Sequence, residues 1–375
     1  MHKKVVFLTG TRADFGKMKS LILALNEHST QFETHIFITG MHLEKKFGET
    51  YIEVEKFAKK NTFKVSNSSN GEMDIALSKT IKQFSNYVKN INPDLIVLHG
   101  DRLEPLAGAI VGAFNNFLVA HIEGGEVSGT IDEHIRHSIS KLSHLHFVSN
   151  DASKKRLCQL GEDPNSIFVI GSPDLDTMVS KTLPSLKEAQ RRYDINFKNY
   201  GIVLLHPVTT ISSEENKYNS NILCDALLST NEDCIVISPN NDHGHKEILT
   251  SFKNKLSTSQ FRQFPSIRFE YFLTLLKNAK FIIGNSSAGI REAPFYGVPS
   301  INIGNRQKGR DKSTESIINC NFDEQEIIGS ILQAKTQSFN PTNEFGEGNS
   351  ANKFLEVLCK DYVWQKPVQK IFNDF

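Results

Sequence analysis

Short, continuous apolar runs recur along this chain, and each is followed by a polar, glycine-bearing loop and then by a segment with helical periodicity. Val5–Leu8, Leu95–Leu98 and Phe117–Ile122 are examples in the first half of the sequence. A strand that is apolar along its whole length is buried on both faces, which is typical of a parallel sheet covered by helices. The alternation therefore predicts an α/β fold built from doubly wound parallel sheets.

The alternation runs through the chain twice. A turn at Gly171–Asp174 closes the first series, and Tyr200–His206 begins the second as a clean apolar strand. A length of 375 residues also suits about two domains. We expect a first Rossmann-like domain over residues 1–172 and a second over 173–355. By analogy with such folds, residues 356–375 should form a helix that crosses back to the first domain.

Local patterns predict three further elements. A short strand is expected near Ile267–Glu270, and a loop leading into an amphipathic helix is expected over Asn285–Tyr296. Beyond Trp364, Val368–Phe372 is expected to form a second helical piece of the C-terminal tail.

Composition excludes several classes of protein. The chain is 39% hydrophobic and 23% charged with a net charge of +1, which argues against a nucleic-acid binder that works through a general basic field. Its apolar runs are too short for a secretory signal or a membrane span. The five scattered cysteines indicate reduced thiols. We expect a soluble cytoplasmic protein with neither a nucleic-acid nor a membrane partner.

Titratable residues are concentrated between Leu95 and His137. His99 and Asp101 follow one predicted strand, and His121 and Glu123 end the next. The carboxyl ends of parallel strands lie at one edge of a sheet, so these side chains should converge there. Their spacing matches no zinc template, which disfavours a metal site. Paired carboxylates suit acid/base chemistry, although salt bridges to Arg102 and Arg136 are an alternative role.

The second half contains a candidate anion site. Ile283–Ala293 is predicted to form the end of a strand, a small polar loop and the start of a helix, with Ser286 and Ser287 in the loop. Helix amides and serine hydroxyls suit a diphosphate, although a well-capped helix alone would explain the pattern. Cations in Gly304–Arg310 follow the next strand, and His206 ends the first strand of this half.

Seven motifs together carry a resemblance to a known family. They are GTRADFG (10–16), HGDRLE (99–104), HIEGGEVSGTIDEHIRHSISKLSHLHF (121–147), GSPDLD (171–176), LLHPV (204–208), SPNNDHG (238–244) and GNSSAGIRE with GVPSINIGNRQKGR (284–310). They resemble the hydrolysing UDP-N-acetylglucosamine 2-epimerases of sialic and legionaminic acid biosynthesis. The resemblance implies a GT-B-like fold with the site between two Rossmann-like domains, and a homodimer or homotetramer.

The resemblance also implies a mechanism and a set of site residues. Loss of the nucleoside diphosphate and of the C2 proton would give a 2-acetamidoglucal, and water would then add with inversion at C2, with no cofactor. Asp101 and Glu123 would be the acid/base pair, supported by Asp132. The implied substrate contacts are His206, Ser286 and Ser287 on the diphosphate, Glu292 on the ribose, Asn240 on the base or ribose, Arg12 and His42 on the sugar or phosphates, and Arg102. Phe15 departs from the tyrosine that many relatives have at this position.

Several alternatives stay open at the level of sequence. The substrate could be UDP-N-acetylglucosamine or a UDP- or GDP-linked N,N′-diacetylbacillosamine. A non-hydrolysing 2-epimerase would keep the nucleotide attached to the sugar. A GT-B glycosyltransferase or a nucleotide-sugar-binding module without turnover would share the fold.

Overall fold

The computed structural model describes residues 2–45, 48–58, 61–68, 72–128, 131–239, 242–309, 314–371 and 373. The chain divides into two compact units. The first comprises residues 1–126, 131–179 and 344–375, and the second comprises residues 127–130 and 180–343. The first unit thus runs past the expected boundary at residue 172 and takes in the whole C-terminal segment from residue 344.

The first unit is built on a parallel sheet. Among the described residues it has seven strands in the order β3-β2-β1-β4-β5-β6-β7. The strands are β1 (Lys3–Thr9), β2 (Phe32–Ile38), β3 (Thr62–Lys64), β4 (Leu95–His99), β5 (Leu118–Ile122), β6 (Leu145–Val148) and β7 (Ile167–Val169). β4 and β5 are buried at every position, which explains why they read as continuous apolar runs.

Helices cover this sheet on both faces. They are α1 (Arg12–Glu27), α2 (Tyr51–Ala58), α3 (Met73–Ile91), α4 (Leu103–Phe114), α5 (Ile131–Leu142), α6 (Asp151–Gln159) and α7 (Asp174–Met178), followed near the C-terminus by α14 (Ser350–Leu358) and α15 (Asp361–Trp364). Phe354 of α14 is fully buried and packs edge-on against Phe147 of β6, with 4.7 Å between ring centroids. This packing explains why residues after 344 belong to the first unit.

The second unit repeats the architecture. Among the described residues its parallel sheet has six strands in the order β10-β9-β8-β11-β12-β13. The strands are β8 (Gly201–Leu204), β9 (Cys234–Ile237), β10 (Phe261–Phe264), β11 (Phe281–Gly284), β12 (Ser300–Ile303) and β13 (Ile317–Cys320). The helices are α8 (Leu186–Tyr193), α9 (Ser213–Thr230), α10 (His245–Lys255), α11 (Phe269–Lys277), α12 (Glu292–Phe295) and α13 (Glu324–Thr336). In the described part of the chain, no helix is long and apolar enough to span a membrane.

Two of the local predictions are wrong. The strand expected near Ile267–Glu270 is instead β10 at Phe261–Phe264, and α11 already begins at Phe269. β10 lies at the edge of its sheet, so it is only partly buried and shows no continuous apolar run. Residues 368–371 are not helical. Side-chain contacts hold this tail instead, since Lys370 donates to the carbonyl of Lys141 at 2.8 Å.

Gly284 ends β11 in a conformation that only glycine adopts easily. Its φ is +141°, and a Cβ atom there would lie 2.2 Å from the carbonyl oxygen of Leu204. Gly284→Ala should therefore destabilise the protein by about 2 kcal/mol or more, through backbone strain and a clash with a fixed backbone atom. Urea unfolding would measure the loss.

Gly329 offers a matched control for that substitution. It lies inside α13, and a Cβ atom added there would meet nothing within 4 Å. Gly329→Ala should be neutral or stabilise by about 0.5–1 kcal/mol, because alanine is the better helix former. Equal effects of the two substitutions would contradict the strain assigned to Gly284.

Candidate active-site residues

Glu123 directly follows β5 and has an unusual backbone conformation. Its φ is +63°, in the left-handed region that residues other than glycine seldom adopt. Its backbone N–H donates to the carbonyl of Phe147 at 2.8 Å, and only 4% of the residue is exposed. Such strain persists only where the surrounding structure holds it, and it is concentrated at functional sites.

Three side chains donate to the Glu123 carboxylate. The ammonium of Lys17 lies 3.2 Å from Oε2, and Nε2 of His99 lies 3.0 Å from the same oxygen. The hydroxyl of Ser172 donates to Oε1. Lys17 also pairs with Asp174, whose Oδ2 is 3.2 Å away and which is fully buried. Glu123 is therefore a buried carboxylate that is contacted by an ammonium, an imidazole ring and a hydroxyl.

Asp101 lies one residue beyond Gly100, at the end of β4, and forms an ion pair with Arg136 of α5. Arg136 is only 1% exposed and also donates to the carbonyl of Glu126 at 3.2 Å. Asp132 is on the first turn of α5, four residues before Arg136, so the two share a helix face. Asp101 and Asp132 keep partial solvent access. The structure thus places the predicted carboxylates at the carboxyl edge of the first sheet.

His121 has a structural role in this edge. Its Nε2 donates to the carbonyl of Gly100 at 2.8 Å, and its Nδ1 lies 2.9 Å from the hydroxyl of Ser140. Complete burial lowers the pKa of His121 to about 3, so the ring is neutral at physiological pH. Its contact with Gly100 fixes the turn that carries Asp101. Within the described residues, no group of three His, Cys, Asp or Glu side chains is arranged to hold a metal ion.

Arg12 and His42 follow β1 and β2, respectively, and differ in their exposure. Arg12 begins α1 and pairs with Glu53 at 3.3 Å, whereas His42 is fully buried. The ring nitrogens of His42 lie 2.9 Å from the Thr9 hydroxyl and 2.8 Å from the Thr50 hydroxyl, and burial lowers the pKa of the ring. In this structure both nitrogens therefore contact threonines of the chain itself. Arg102 is the N-cap residue of α4 and is partly exposed.

His206 and Asn285 lock two loops of the second unit together. The His206 amide donates to Oδ1 of Asn285 at 2.7 Å, and Nδ2 of Asn285 donates back to the carbonyl of His206 at 2.9 Å. Arg306 and Gln307 donate to the carbonyl of Asn285 at 3.1 and 2.9 Å. Burial, followed by the charge of Arg306, lowers the pKa of His206 to about 3, so His206 is a neutral ring at physiological pH.

The segment that contains Ser286 and Ser287 has shorter helical pieces than the predicted amphipathic helix. Ser286 caps a 3₁₀ turn of three residues, Ser287–Gly289, by accepting from the Ala288 amide at 3.3 Å. Only the short α12 follows, beginning at Glu292, which is buried. The predicted loop and helix are thus present over Asn285–Tyr296, but the helical part is limited to the 3₁₀ turn and the four residues of α12. Asn240 lies outside the described residues.

The sequence as a whole decides the family. A model of the family described as UDP-N-acetylglucosamine 2-epimerase matches residues 24–359, most of the chain. The chain belongs to this family. The family resemblance read from the seven motifs is thereby confirmed.

Relatives of this epimerase family match along the full length. A UDP-N-acetylglucosamine 2-epimerase of Neisseria meningitidis serogroup B is 47% identical, with 99% of each chain covered. A UDP-N,N′-diacetylbacillosamine 2-epimerase (hydrolyzing) of Legionella pneumophila is 32% identical, with 96% of each covered. A crystal structure of the Methanocaldococcus jannaschii enzyme in complex with UDP-GlcNAc and UDP has a TM-score of 0.81 at 23% identity, covering 95% of this chain and 99% of that one. Together with the two parallel sheets, it confirms the GT-B-like fold.

Some residues at these edges were not among the predicted site residues. Lys17 lies in the second turn of α1. Ser172 belongs to the turn at which the sequence predicts the domain boundary. Asn285 and Gln307 are further examples, and both are buried. Of these four residues, only Asn285 could have been identified from the sequence, since a polar residue directly after an apolar strand lies at the carboxyl edge of the sheet.

Proposed function

We propose that this member of the epimerase family is a hydrolysing 2-epimerase that converts a UDP-linked N-acetyl amino sugar to the free mannose-type sugar and UDP. The observation that carries the chemistry is the Glu123 carboxylate, buried and surrounded by donors, with the Asp101–Arg136 pair on the neighbouring strand end. Hydrolysis is supported by the name of the Legionella relative, which is similar along 96% of this chain.

The proposed reaction has two steps. In the first, a carboxylate takes the C2 proton, the C–H electron pair forms the C1–C2 double bond, and the C1–O bond breaks with its electrons leaving on UDP. In the second, water adds across the double bond, placing hydroxyl on C1 and hydrogen on C2 with inverted configuration. The sum is one water consumed and one UDP released. Because only proton transfer and C–O cleavage occur, we propose no cofactor.

Each unit supplies groups that suit this chemistry. In the first unit, Asp101 and Glu123 would transfer protons, and Asp132, Arg12 and Arg102 would contact the sugar end. Positioned acid/base groups of this kind typically accelerate a reaction about 100- to 10,000-fold. In the second unit, Ser286, Ser287 and His206 would bind the diphosphate, and Glu292 the ribose. A neutral His206 can donate one ring N–H to a phosphate oxygen.

A product assay in deuterated water tests the proposal. We expect purified protein to release UDP from UDP-N-acetylglucosamine or from its 4-acetamido-6-deoxy analogue. The free mannose-type product should carry one deuterium at C2, measured by proton NMR and mass spectrometry. GDP-linked sugars run in parallel would establish the nucleotide preference. Absence of both nucleotide release and C2 labelling on every substrate would overturn the proposal.

The same assay separates hydrolysis from the non-hydrolysing alternative. The Neisseria relative at 47% identity is named without reference to hydrolysis, which keeps that alternative in view. A non-hydrolysing enzyme would give UDP-N-acetylmannosamine labelled at C2, with no free UDP.

A further inference from the structure

We propose that Ser172 and His99 are positioning residues that hold the Glu123 carboxylate ionised and oriented, so that Glu123 is the base that removes the C2 proton. The inference rests on the proposed function, and it assigns the base that sequence alone left open. In the step concerned, one Glu123 oxygen gains the proton from C2. The C–H electrons form the C1–C2 bond as the C1–O electrons leave with UDP.

The Lys17 ammonium lies near both oxygens of Glu123, 3.5 Å from Oε1 and 3.2 Å from Oε2, whereas His99 and Ser172 each contact one of them. Oε2 lies 3.0 Å from Nε2 of His99, while the Ser172 hydroxyl donates to Oε1. The Lys17 ammonium can only donate, so it requires an acceptor oxygen on Glu123, and the His99 ring and the Ser172 hydroxyl add two further contacts that an ionised carboxylate accepts. These contacts therefore favour the ionised acceptor form, which is the form that a base needs.

The pairing of β4 with β5 determines the position of His99. It is the last residue of β4 and pairs with Ile122 of β5, the residue directly before Glu123. Neighbouring parallel strands are about 4.8 Å apart, so the His99 ring and the Glu123 side chain leave the same edge side by side. His99 is 8% exposed, so this hydrogen bond is largely shielded from water.

Ser172 is held by the segment that returns to the first unit. Its backbone N–H donates to the carbonyl of Phe345 at 2.6 Å, and the residue is fully buried. Gly171 has a φ of +85°, and a Cβ atom there would lie 3.2 Å from Cα of Gly346. The backbone around Phe345, far along the chain from Ser172, therefore holds the Ser172 hydroxyl in place against Glu123.

Substitutions that test the Ser172 and His99 donors must leave the charged side chains around Glu123 unchanged. Lys17 supplies the positive charge, and Asp174 shares that ammonium at 3.2 Å. Ser172→Ala and His99→Leu leave both charges in place and remove one donor each. We therefore choose these variants over any substitution of Lys17.

The experiment measures UDP release as a function of pH for wild type, Ser172→Ala, His99→Leu and His99→Gln. Ser172→Ala and His99→Leu should each lower kcat about 10- to 100-fold, because a hydrogen bond to a charged group typically contributes a free energy that corresponds to this factor. KM should change little, and the acid limb of the kcat profile should move to higher pH. His99→Gln should recover most of the loss, because its amide can donate in place of Nε2.

Ser143→Ala is the matched control. Ser143 is as fully buried as Ser172, but its hydroxyl donates to the carbonyl of Ile139 at 2.8 Å, within a helix end. It should leave kcat and the acid limb unchanged. Folded variants with wild-type kcat and an unmoved acid limb at both Ser172 and His99 would overturn the inference.

A second measurement tests the inference without relying on enzyme turnover. Carbon-13 NMR of carboxyl-labelled glutamate, with the Glu123 signal assigned from Glu123→Gln, follows the Glu123 titration directly. Its midpoint should lie higher in His99→Leu than in wild type, and an unchanged midpoint would overturn the inference. If wild type releases no UDP from any sugar, the proposed function fails, and this titration still decides whether the donors hold the ionised form.

Discussion

Replacing Glu123 by glutamine should lower kcat by about two orders of magnitude or more, as expected for a group that transfers a proton in the transition state. The amide cannot accept the C2 proton. Its NH2 group would also take the place of a carboxylate oxygen that is contacted by Lys17, His99 or Ser172. Nucleotide binding should be retained, since no diphosphate contact is proposed for Glu123. UDP release and calorimetric UDP binding measure the two effects.

Glu55→Gln is the control for that change. Glu55 belongs to the same unit and pairs with Lys64 at 2.7 Å near the surface. Surface pairs are typically worth about 0–1 kcal/mol, so kcat and stability should be close to wild type. A Glu123→Gln variant that is folded, binds UDP and turns over at the wild-type rate would remove Glu123 from the chemistry.

Replacing Asp101 by asparagine should also lower kcat by about two orders of magnitude, because the second proton-transferring group is lost. The asparagine oxygen can still accept from Arg136, so the fold should survive. The buried guanidinium of Arg136 would lose one charged partner, and some stability should be lost with it. UDP-release kinetics and thermal unfolding of the same preparation separate the two effects.

Asp225→Asn is the control for the second change. Asp225 pairs with Lys255 at 2.6 Å, and 45% of its side chain is exposed. It should affect neither turnover nor stability appreciably. If Asp101→Asn kept wild-type turnover while Glu123→Gln lost it, Asp101 would be a charge partner of Arg136 and not an acid/base group.

Much of the fold was predictable from the chain because burial on both faces leaves a clear pattern. β4 and β5 are apolar at nearly every position, so their places in the sheet were evident. The pattern fails for β10, which lies at a sheet edge and is only partly buried. It fails also for the C-terminal tail, where Lys370 is held by side-chain and carbonyl contacts that have no periodicity.

The candidate site was predictable only in part. Strand ends revealed Asp101 and Glu123, because a carboxylate directly after a buried strand lies at the carboxyl edge of a parallel sheet. Ser172 could not be found in this way, since its loop reads as a simple turn and its contact spans 49 residues of sequence. His42 shows the converse, because the family resemblance implied a ligand contact for it, whereas the structure buries its ring between two threonines.

The sequence by itself determined the alternation of strands and helices, the family, and the carboxylates at the strand ends. These follow from local hydrophobic patterns and from motifs that are contiguous in the chain. The tertiary structure decided which donors surround Glu123, which cation pairs with Asp101, and which histidines are neutral. Those properties depend on burial and on distances between residues far apart in sequence, and no local pattern encodes either quantity.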